Sequence, residues 1–364
     1  MSKAGIITFY GADNFGAVLQ CYALQKYLSD FGLDTSVVGE KDKAISDFYS
    51  VINTKGPIKA KIVSLLQVPS NISRKKKFSK FRKQYLNISK NYNDFDLYVC
   101  GSDQIWNFNI TGGFNPLYFA DFHRSEESVV VSYAASIGLN NMPEEWKKTF
   151  VEELKCFSAI SVREDRAKEL IQPLCDKEIT VVPDPTLLVK KEEWLKLVEN
   201  EKIKKPYVLI YSLNNCKTTY DIAEKVAKSL DLPIIEIRGS SKPYRYNSGN
   251  TVLDNIGPIE FLSYIKNAEF VVTDSFHGTV FSTLFEKTFY SIPPHGLGSR
   301  METLLKGLGL SSRLVDNLES YSAEKIDYTS VEAKLNDLRK TADGFFNSVT
   351  CILEEKNEAE KKLS

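Results

Sequence analysis

The chain has 364 residues, and its 47 lysine and arginine side chains balance 47 aspartate and glutamate side chains, for a formal net charge of zero. That length exceeds one ordinary core, so two domains are expected, and the charge balance gives no general electrostatic grip on a nucleic-acid backbone, so a nucleic-acid partner is excluded. The six cysteines (Cys21, Cys100, Cys156, Cys175, Cys216, Cys351) are dispersed without a CxxC pair, which reads as reduced cytosolic thiols and argues against a metal site or a disulfide framework.

From its first residues, MSKAGIITFYG, the chain enters a strand, with no charged leader, apolar core and cleavage site, so no signal peptide is read. No run is long enough to span a bilayer. Residues 5–10 form the strand, Gly11 and Gly16 flank a polar turn, and an amphipathic helix follows to Gly32. The Gly-x-x-x-x-Gly spacing imitates a phosphate loop, but Ala17-Val18 stand where Lys-Ser/Thr is required, so nucleoside triphosphate binding is rejected. What survives is either a place where a ligand meets the backbone closely or a tight turn with no ligand.

Residues 33–38 read as a second strand and 41–90 as a polar, partly helical insertion. Within it Arg74-Lys75-Lys76-Lys77, Lys80, Arg82 and Lys83 interleave with Phe78, Phe81 and Tyr85 at helical spacing. An amphipathic helix with a solvated basic face is expected, and an anionic membrane surface is a partner such a face would suit. A strand at 96–100 ends in GSDQIWN, where Asp103, Gln104 and Trp106 combine polar groups with a large ring. That combination suits the mixed faces of a sugar, with Trp106 as a lid over the core as the alternative. Residues 129–133 are a strong strand followed by the small residues AASIG.

A helix is expected near 143–156, a strand over 159–162, and a helix opened by Arg163-Glu164-Asp165-Arg166. Arginine at a strand end is a natural fork for a carboxylate or phosphate; the alternative is a surface pair with Glu164 or Asp165. The strand at 179–182 is stopped by Pro183-Asp184-Pro185, whose prolines hold Asp184 at its carboxyl end. The charged stretch 190–205, ending in Lys-Lys-Pro, marks a domain boundary.

The second half restarts with a strand at 207–212, a helix at 221–230, a strand at 234–237 ending in Arg238-Gly239-Ser240-Ser241, and a helix at 258–267. Then comes AEFVVTDSFHGTVFSTLFE: a buried strand at 269–273, a polar turn over Asp274, Ser275, Phe276, His277 and Gly278, and an apolar helix. The helix mouth favours an anion, and His277, one of three histidines, stands beside it, either poised for chemistry or packed as a turn residue. A strand at 288–292, the turn Pro293-Pro294-His295-Gly296, a helix at 300–305 and the run GLGL follow, and the tail 326–364 is charged and helical. The alternation of strands and helices argues for two doubly wound α/β domains, 1–195 and 205–325, with ligands in the cleft at the strands' carboxyl ends.

Taken in order over residues 8–314, the segments NFGAVLQCYALQKYL, GSDQIWN, SYAASIG, SVREDRAKELI, VVPDPTLL, VVTDSFHGTVFSTLF and LLKGLGL resemble the polysaccharide pyruvyltransferase family. The resemblance implies a GT-B-like fold of two Rossmann-type domains facing a cleft. It also implies transfer of pyruvate from phosphoenolpyruvate to a sugar of a surface polysaccharide or its lipid-linked precursor, with a cyclic ketal formed, phosphate released and no cofactor. A cytoplasmic enzyme, at most peripheral on the inner membrane face, is expected, with a lipid-linked or nucleotide-linked sugar acceptor.

On this chain the family's histidine falls on His277, its strand-end arginine on Arg163, and a later basic group on Arg300. Some relatives carry an arginine where Ser275 stands, and Lys287 or Arg300 are the candidates to compensate. The implied donor site is Arg163, Ser275, His277, Gly278, Thr279 and Arg300; the acceptor path is assigned to Asn14, Phe15, Gly16, Asp103, Gln104 and Trp106. His277, Arg163 and Asp184 are the catalytic candidates. Asp184, Asp103 or Asp274 either takes hydroxyl protons or orients the histidine. Two other readings stand beside this one: a GT-B glycosyltransferase using a nucleotide sugar, and a glycan-binding protein of the same fold.

Overall fold

A computed structural model describes residues 1–39, 43–48, 50–51, 67–199, 203, 206–238, 249–293, 298–317 and 325–363. Seven strands of the first half, β1 (Lys3–Ile7), β2 (Asp34–Val38), β3 (Ile88–Ser89), β4 (Leu97–Cys100), β5 (Val129–Ala135), β6 (Ala159–Val162) and β7 (Ile179–Val181), form a parallel sheet in the order β3-β2-β1-β4-β5-β6-β7. The second half adds β8 (Val208–Ser212), β9 (Ile234–Arg238), β10 (Thr251–Leu253), β11 (Phe270–Thr273) and β12 (Thr288–Ser291), also parallel, in the order β10-β9-β8-β11-β12. Such strands need apolar side chains on both faces because helices cover both. Accordingly every residue of VVVSYAA in β5, VLIYS in β8 and FVVT in β11 is buried.

In each sheet the strand order reverses once, between β1 and β4 and between β8 and β11. Ligand crevices open at such reversals, beyond the strands' carboxyl ends. The two sets of carboxyl ends face each other, and the architecture is the GT-B-like α/β arrangement with a helical tail. The halves are joined by a shared core: Phe15, at the start of the helix Phe15–Asp30, stacks on Phe261 of the second half with ring centroids 4.4 Å apart, and Tyr211 meets it edge-on. Within the charged stretch 190–205, Lys191–Leu197 is a helix, and its Trp194 is fully buried between Tyr22 and Phe281. Residues 200–202 and 204–205 of the expected boundary lie outside the described residues, as do 239–241 and 294–296.

The tail is a single helix, Tyr328–Leu363. Its first turns bury Val331 and Leu335 in the core shared by both halves, and Phe346, further along, stacks on Tyr133 of β5 at 4.9 Å, so the tail straps the second half to the first.

The basic helix of the insertion is Val68–Tyr85, and the expected solvated face is only partly there. Lys75, Lys76, Lys80 and Lys83 are exposed, but Arg74 and Arg82 are buried. Arg74 donates to the carbonyls of Arg238 and Asp13 and lies over the Phe15 ring, while Arg82 pairs with Asp13 at 2.7 Å. Their planar, multi-donor heads satisfy loop carbonyls that the lysine head could not fork across. Among the described residues no helix is long and apolar enough to cross a membrane.

Candidate active site

Pro183 and Pro185 fix the backbone after β7, and Asp184 caps the turn Pro185–Leu187: its Oδ1 accepts from the Thr186 amide at 3.0 Å and the Thr186 hydroxyl at 2.6 Å. This leaves Oδ2 aimed across the carboxyl ends of the sheet. It accepts from Arg163 Nη1 at 2.6 Å and from the Ser102 hydroxyl at 3.2 Å, and lies 3.6 Å from His277 Nε2. Arg163, directly after β6, is buried, with Asp103 Oδ1 3.5 Å from its Nη2 and Glu164 Oε2 4.0 Å from its Nε. The expected alternative of a surface ion pair for Arg163 does not hold.

From the second half, the turn after β11 brings Phe276 and His277 onto this cluster. Two guanidinium groups lie over the Phe276 ring, Arg163 at 4.6 Å and Arg300 at 5.9 Å from its centroid. Burial would raise the Asp184 carboxyl, but the His277 imidazole and the Arg163 guanidinium beside it hold it well below the usual carboxylate range. For Arg163, burial works to lower the value, and Asp184, Asp103 and Glu164 overcome this and raise it. Arg300 is lowered by burial and by its neighbour Arg163. At 3.6 Å the contact between His277 and Asp184 is an ion-pair distance and too long for a hydrogen bond.

Five buried side-chain atoms of this cluster have no hydrogen-bond partner among the described residues: Arg163 Nε and Nη2, Glu164 Oε2, His277 Nε2 and Arg300 Nε. Leaving one such atom unsatisfied costs about 1–3 kcal/mol, and native proteins tolerate few of them. Their concentration between the facing sheet ends therefore marks a place built for a polar ligand.

The expected donor residues divide into two groups. Arg163, His277 and Arg300 converge. Ser275, Gly278 and Thr279 instead build the helix Phe276–Leu284: Ser275 Oγ accepts from the Gly278 amide at 3.3 Å, and the Thr279 hydroxyl bonds Ser275 O and Ser291. A Cβ on Gly278 would lie 2.3 Å from Thr273 Oγ1, so glycine there serves close packing of helix on strand. The helix mouth keeps the amides of Phe276 and His277 as donors without partners among the described residues. Lys287, considered as a compensating cation, bonds the Ala268 carbonyl at the amino end of β11, the wrong end of the sheet.

The expected acceptor path needs more correction. Trp106 is wholly buried, donates to the Tyr118 carbonyl at 3.1 Å and stacks on Phe119, so it is a core ring and not a sugar platform. Phe15 is equally buried, in the core joining the halves, and Asn14 caps its own helix by accepting from the Ala17 amide. Gln104 packs against Gly138, whose backbone is left-handed at φ 64°. Gly16 belongs to the histidine: a Cβ there would lie 1.9 Å from His277 Nδ1. Asp103, with a left-handed backbone at φ 74°, accepts from the Gln104 amide and faces Arg163. Asp274 is occupied by the Ser212 hydroxyl and the amides of Leu213 and Asn214, tying β11 to the end of β8, so Asp184 is the carboxylate facing the histidine.

Glu164 was read only as a surface partner for Arg163. It is buried, its Oε1 held by the Ser136 hydroxyl at 2.8 Å and the Gly138 amide at 3.3 Å. Its place after a strand end was the only sequence signal.

Comparison with curated proteins gives no match. Among solved structures, the chain is similar to the UDP-GlcNAc 2-epimerase of Methanocaldococcus jannaschii, with 15% identity, 92% of this chain and 93% of that one covered, and a TM-score of 0.47. It is also similar to the UDP-GlcNAc 2-epimerase of Neisseria meningitidis (8% identity, 95% and 93% covered, TM-score 0.43) and to a glycosyltransferase of Rickettsia africae (13%, 99% and 97%, 0.41). The family model described as polysaccharide pyruvyl transferase matches residues 14–296, most of the chain and every member of the buried cluster except Arg300, and the chain therefore belongs to that family.

Proposed function

We propose that this site moves pyruvate from phosphoenolpyruvate to two hydroxyls of a sugar in a surface polysaccharide or its lipid-linked precursor, closing a cyclic ketal and releasing phosphate. The observation that carries this reading is the pair of guanidinium groups over Phe276, with Arg163 Nε and Nη2 and Arg300 Nε buried without hydrogen-bond partners among the described residues, beside His277 and its ion-paired Asp184. Arginine forks suit a carboxylate and a phosphate, and the free amides of Phe276 and His277 add helix-mouth donors. The cluster is not strongly cationic, because Arg163 and Arg300 face Asp103, Glu164 and Asp184. Recognition of the donor's charges therefore rests on directed hydrogen bonds.

In this scheme His277 gives a proton to the methylene carbon of phosphoenolpyruvate, and positive charge develops on the adjacent carbon. Asp184, ionised at any pH where the protein works, steadies the imidazolium before transfer. A first sugar hydroxyl attacks that carbon and its proton passes to the His277 imidazole, neutral after the first transfer. Phosphate then departs with its bonding pair, and a second hydroxyl closes the ring as its proton passes to the departing phosphate. Burial between the two halves keeps water from the cationic carbon. We place the reaction in the cytoplasm, with the exposed lysines of the helix Val68–Tyr85 free to meet an anionic membrane face.

The test is incubation with phosphoenolpyruvate and a panel of lipid-linked and nucleotide-linked sugars, reading phosphate release and the mass gain of one pyruvate ketal. His277→Ala is expected to fold and to lose about two to four orders of magnitude in rate. Release of nucleotide from a sugar nucleotide, with phosphoenolpyruvate untouched, would replace this reading with glycosyl transfer.

A further inference from the structure

The turn that carries Asp184 is held largely from outside. Every carbonyl from Pro183 to Leu187 has a donor. Asp184 O and Pro185 O accept from the amides of Leu187 and Leu188, at 2.9 and 3.0 Å, which closes the turn. The other three are taken by side chains from elsewhere in the chain: the Tyr133 hydroxyl donates to Pro183 O at 3.0 Å, Trp194 Nε1 to Thr186 O at 3.2 Å, and Arg339 Nε to Leu187 O at 2.9 Å. Buried carbonyls need such partners, and here the partners fix the backbone on which the Asp184 carboxylate stands.

Arg339 reaches the turn from the tail helix Tyr328–Leu363, beyond the residues 14–296 that match the family. It is buried, and its Nη1 donates to Glu332 at 2.6 Å and Asn336 at 2.8 Å on the same helix, which leaves Nε turned to Leu187. The Glu332 side chain is half-exposed while Leu187 is buried, so the ion pair lies toward the surface and the Nε–H bond lies inside. About two turns further along, Phe346 stacks on the same Tyr133 that holds Pro183, and the tail thus supports the turn by two routes.

We propose that Arg339 is a positioning residue for pyruvyl transfer, acting through the Leu187 carbonyl to keep Asp184 Oδ2 against Arg163 and His277. This deepens the pyruvyl-transfer reading and rests on it for the chemistry. Because the Leu187 amide bonds Asp184 O, a displacement of Leu187 is passed to Asp184 within one turn. Loss of the Nε–H bond leaves a buried carbonyl unpaired, which favours movement of the turn toward another partner. Asp184 Oδ2 has little slack, with Arg163 Nη1 at 2.6 Å and His277 Nε2 at 3.6 Å, and a misplacement of about 1 Å costs around 10²-fold in rate.

Two substitutions of matching length separate this bond from everything else that Arg339 does. In Arg339→Gln the side-chain amide nitrogen stands where Nε stood and still donates to Leu187; in Arg339→Met a methyl group takes that place. Both lose the charge and the link to Glu332. Phosphate release from phosphoenolpyruvate with a sugar acceptor is measured at a temperature where circular dichroism shows both variants folded. The Met variant is expected to lose about tenfold or more in kcat, and the Gln variant to stay within about threefold of wild type.

The placement itself is read by NMR on the full chain with nitrogen-15-labelled histidine. The chain has three histidines, and the ring signals of His277 are those that vanish in His277→Gln. They are expected to move by more than a linewidth in Arg339→Met and to keep their wild-type positions in Arg339→Gln. They should also stay in place in Leu353→Ala, which removes a buried side chain about four turns along the same helix. Equal behaviour of the Met and Gln variants overturns the proposal, as does a His277 signal moved as far by Leu353→Ala as by Arg339→Met. A wild type that consumes no phosphoenolpyruvate refutes the donor reading alone, because the His277 signals still decide whether Arg339 places Asp184.

Discussion

Gly16→Ala tests whether the first half holds the histidine of the second. The added Cβ would sit 1.9 Å from His277 Nδ1, 2.4 Å from Cγ and 2.5 Å from Cε1. Ordinary contact begins at about 3.5 Å, so the ring or the helix start must move by roughly 1.6 Å. The ring has little room, with Asp184 Oδ2 at 3.6 Å and the Phe276 ring edge-on at 5.2 Å between centroids. A misplacement of about 1 Å at a reacting group costs around 10²-fold in rate, and kcat should fall at least that far.

The stability effect of the same substitution should be small. Alanine gains up to about 1 kcal/mol over glycine in a helix, against about 1–3 kcal/mol for overpacking. The net loss of at most about 3 kcal/mol is readable as a Tm lowered by several degrees. Steady-state phosphate release from phosphoenolpyruvate, alongside thermal unfolding, separates the two effects. A folded variant with wild-type kcat would show that His277 is not positioned by Gly16, and the contact between the halves would lose its catalytic meaning.

Trp106→Ala should destabilise the chain by about 3–5 kcal/mol, as for other large core rings. At a temperature where the variant is folded, the Michaelis constants for donor and acceptor should stay together within about twofold; a selective rise for the acceptor would return Trp106 to the sugar path. Asp184→Asn leaves Arg163 buried with its main partner gone, and is expected to cost about 3–5 kcal/mol by denaturant unfolding at neutral pH. The pH dependence follows from the depressed carboxyl: its stabilisation is complete above the unfolded value of about 3.9 and is lost only as pH falls through the lower folded value. The gap between wild type and Asn variant should therefore be level from pH 7 to about pH 5 and close only in strong acid; a gap already shrinking between pH 7 and 5 would contradict the ion pairing of Asp184.

Local chemistry made much of the scaffold legible in the sequence. Apolar runs stopped by Gly, Pro, Arg-Glu or Asp-Ser marked β4, β7, β6 and β11 to within a residue or two, because a parallel strand buried on both faces must be apolar and must end where polar backbone meets the crevice. The positions of Arg163, Asp184 and His277 followed from those strand ends. β3 and β10, of two and three residues, gave no periodicity to read, since hydrogen bonds from a neighbouring strand define them.

Tertiary structure alone decided which polar and aromatic residues are inside. Trp106 and Phe15 looked like ligand platforms, and Arg74 and Arg82 like a solvated face, until packing between distant segments buried them. Glu164 stood in a charged run indistinguishable from a surface turn, and its burial depends on Ser136 and Gly138 reaching it from another strand end. The pairing of Gly16 with His277 is the clearest case: a missing side chain in one half matters only because a ring from the other half occupies its space, and one-dimensional spacing carries no record of that contact.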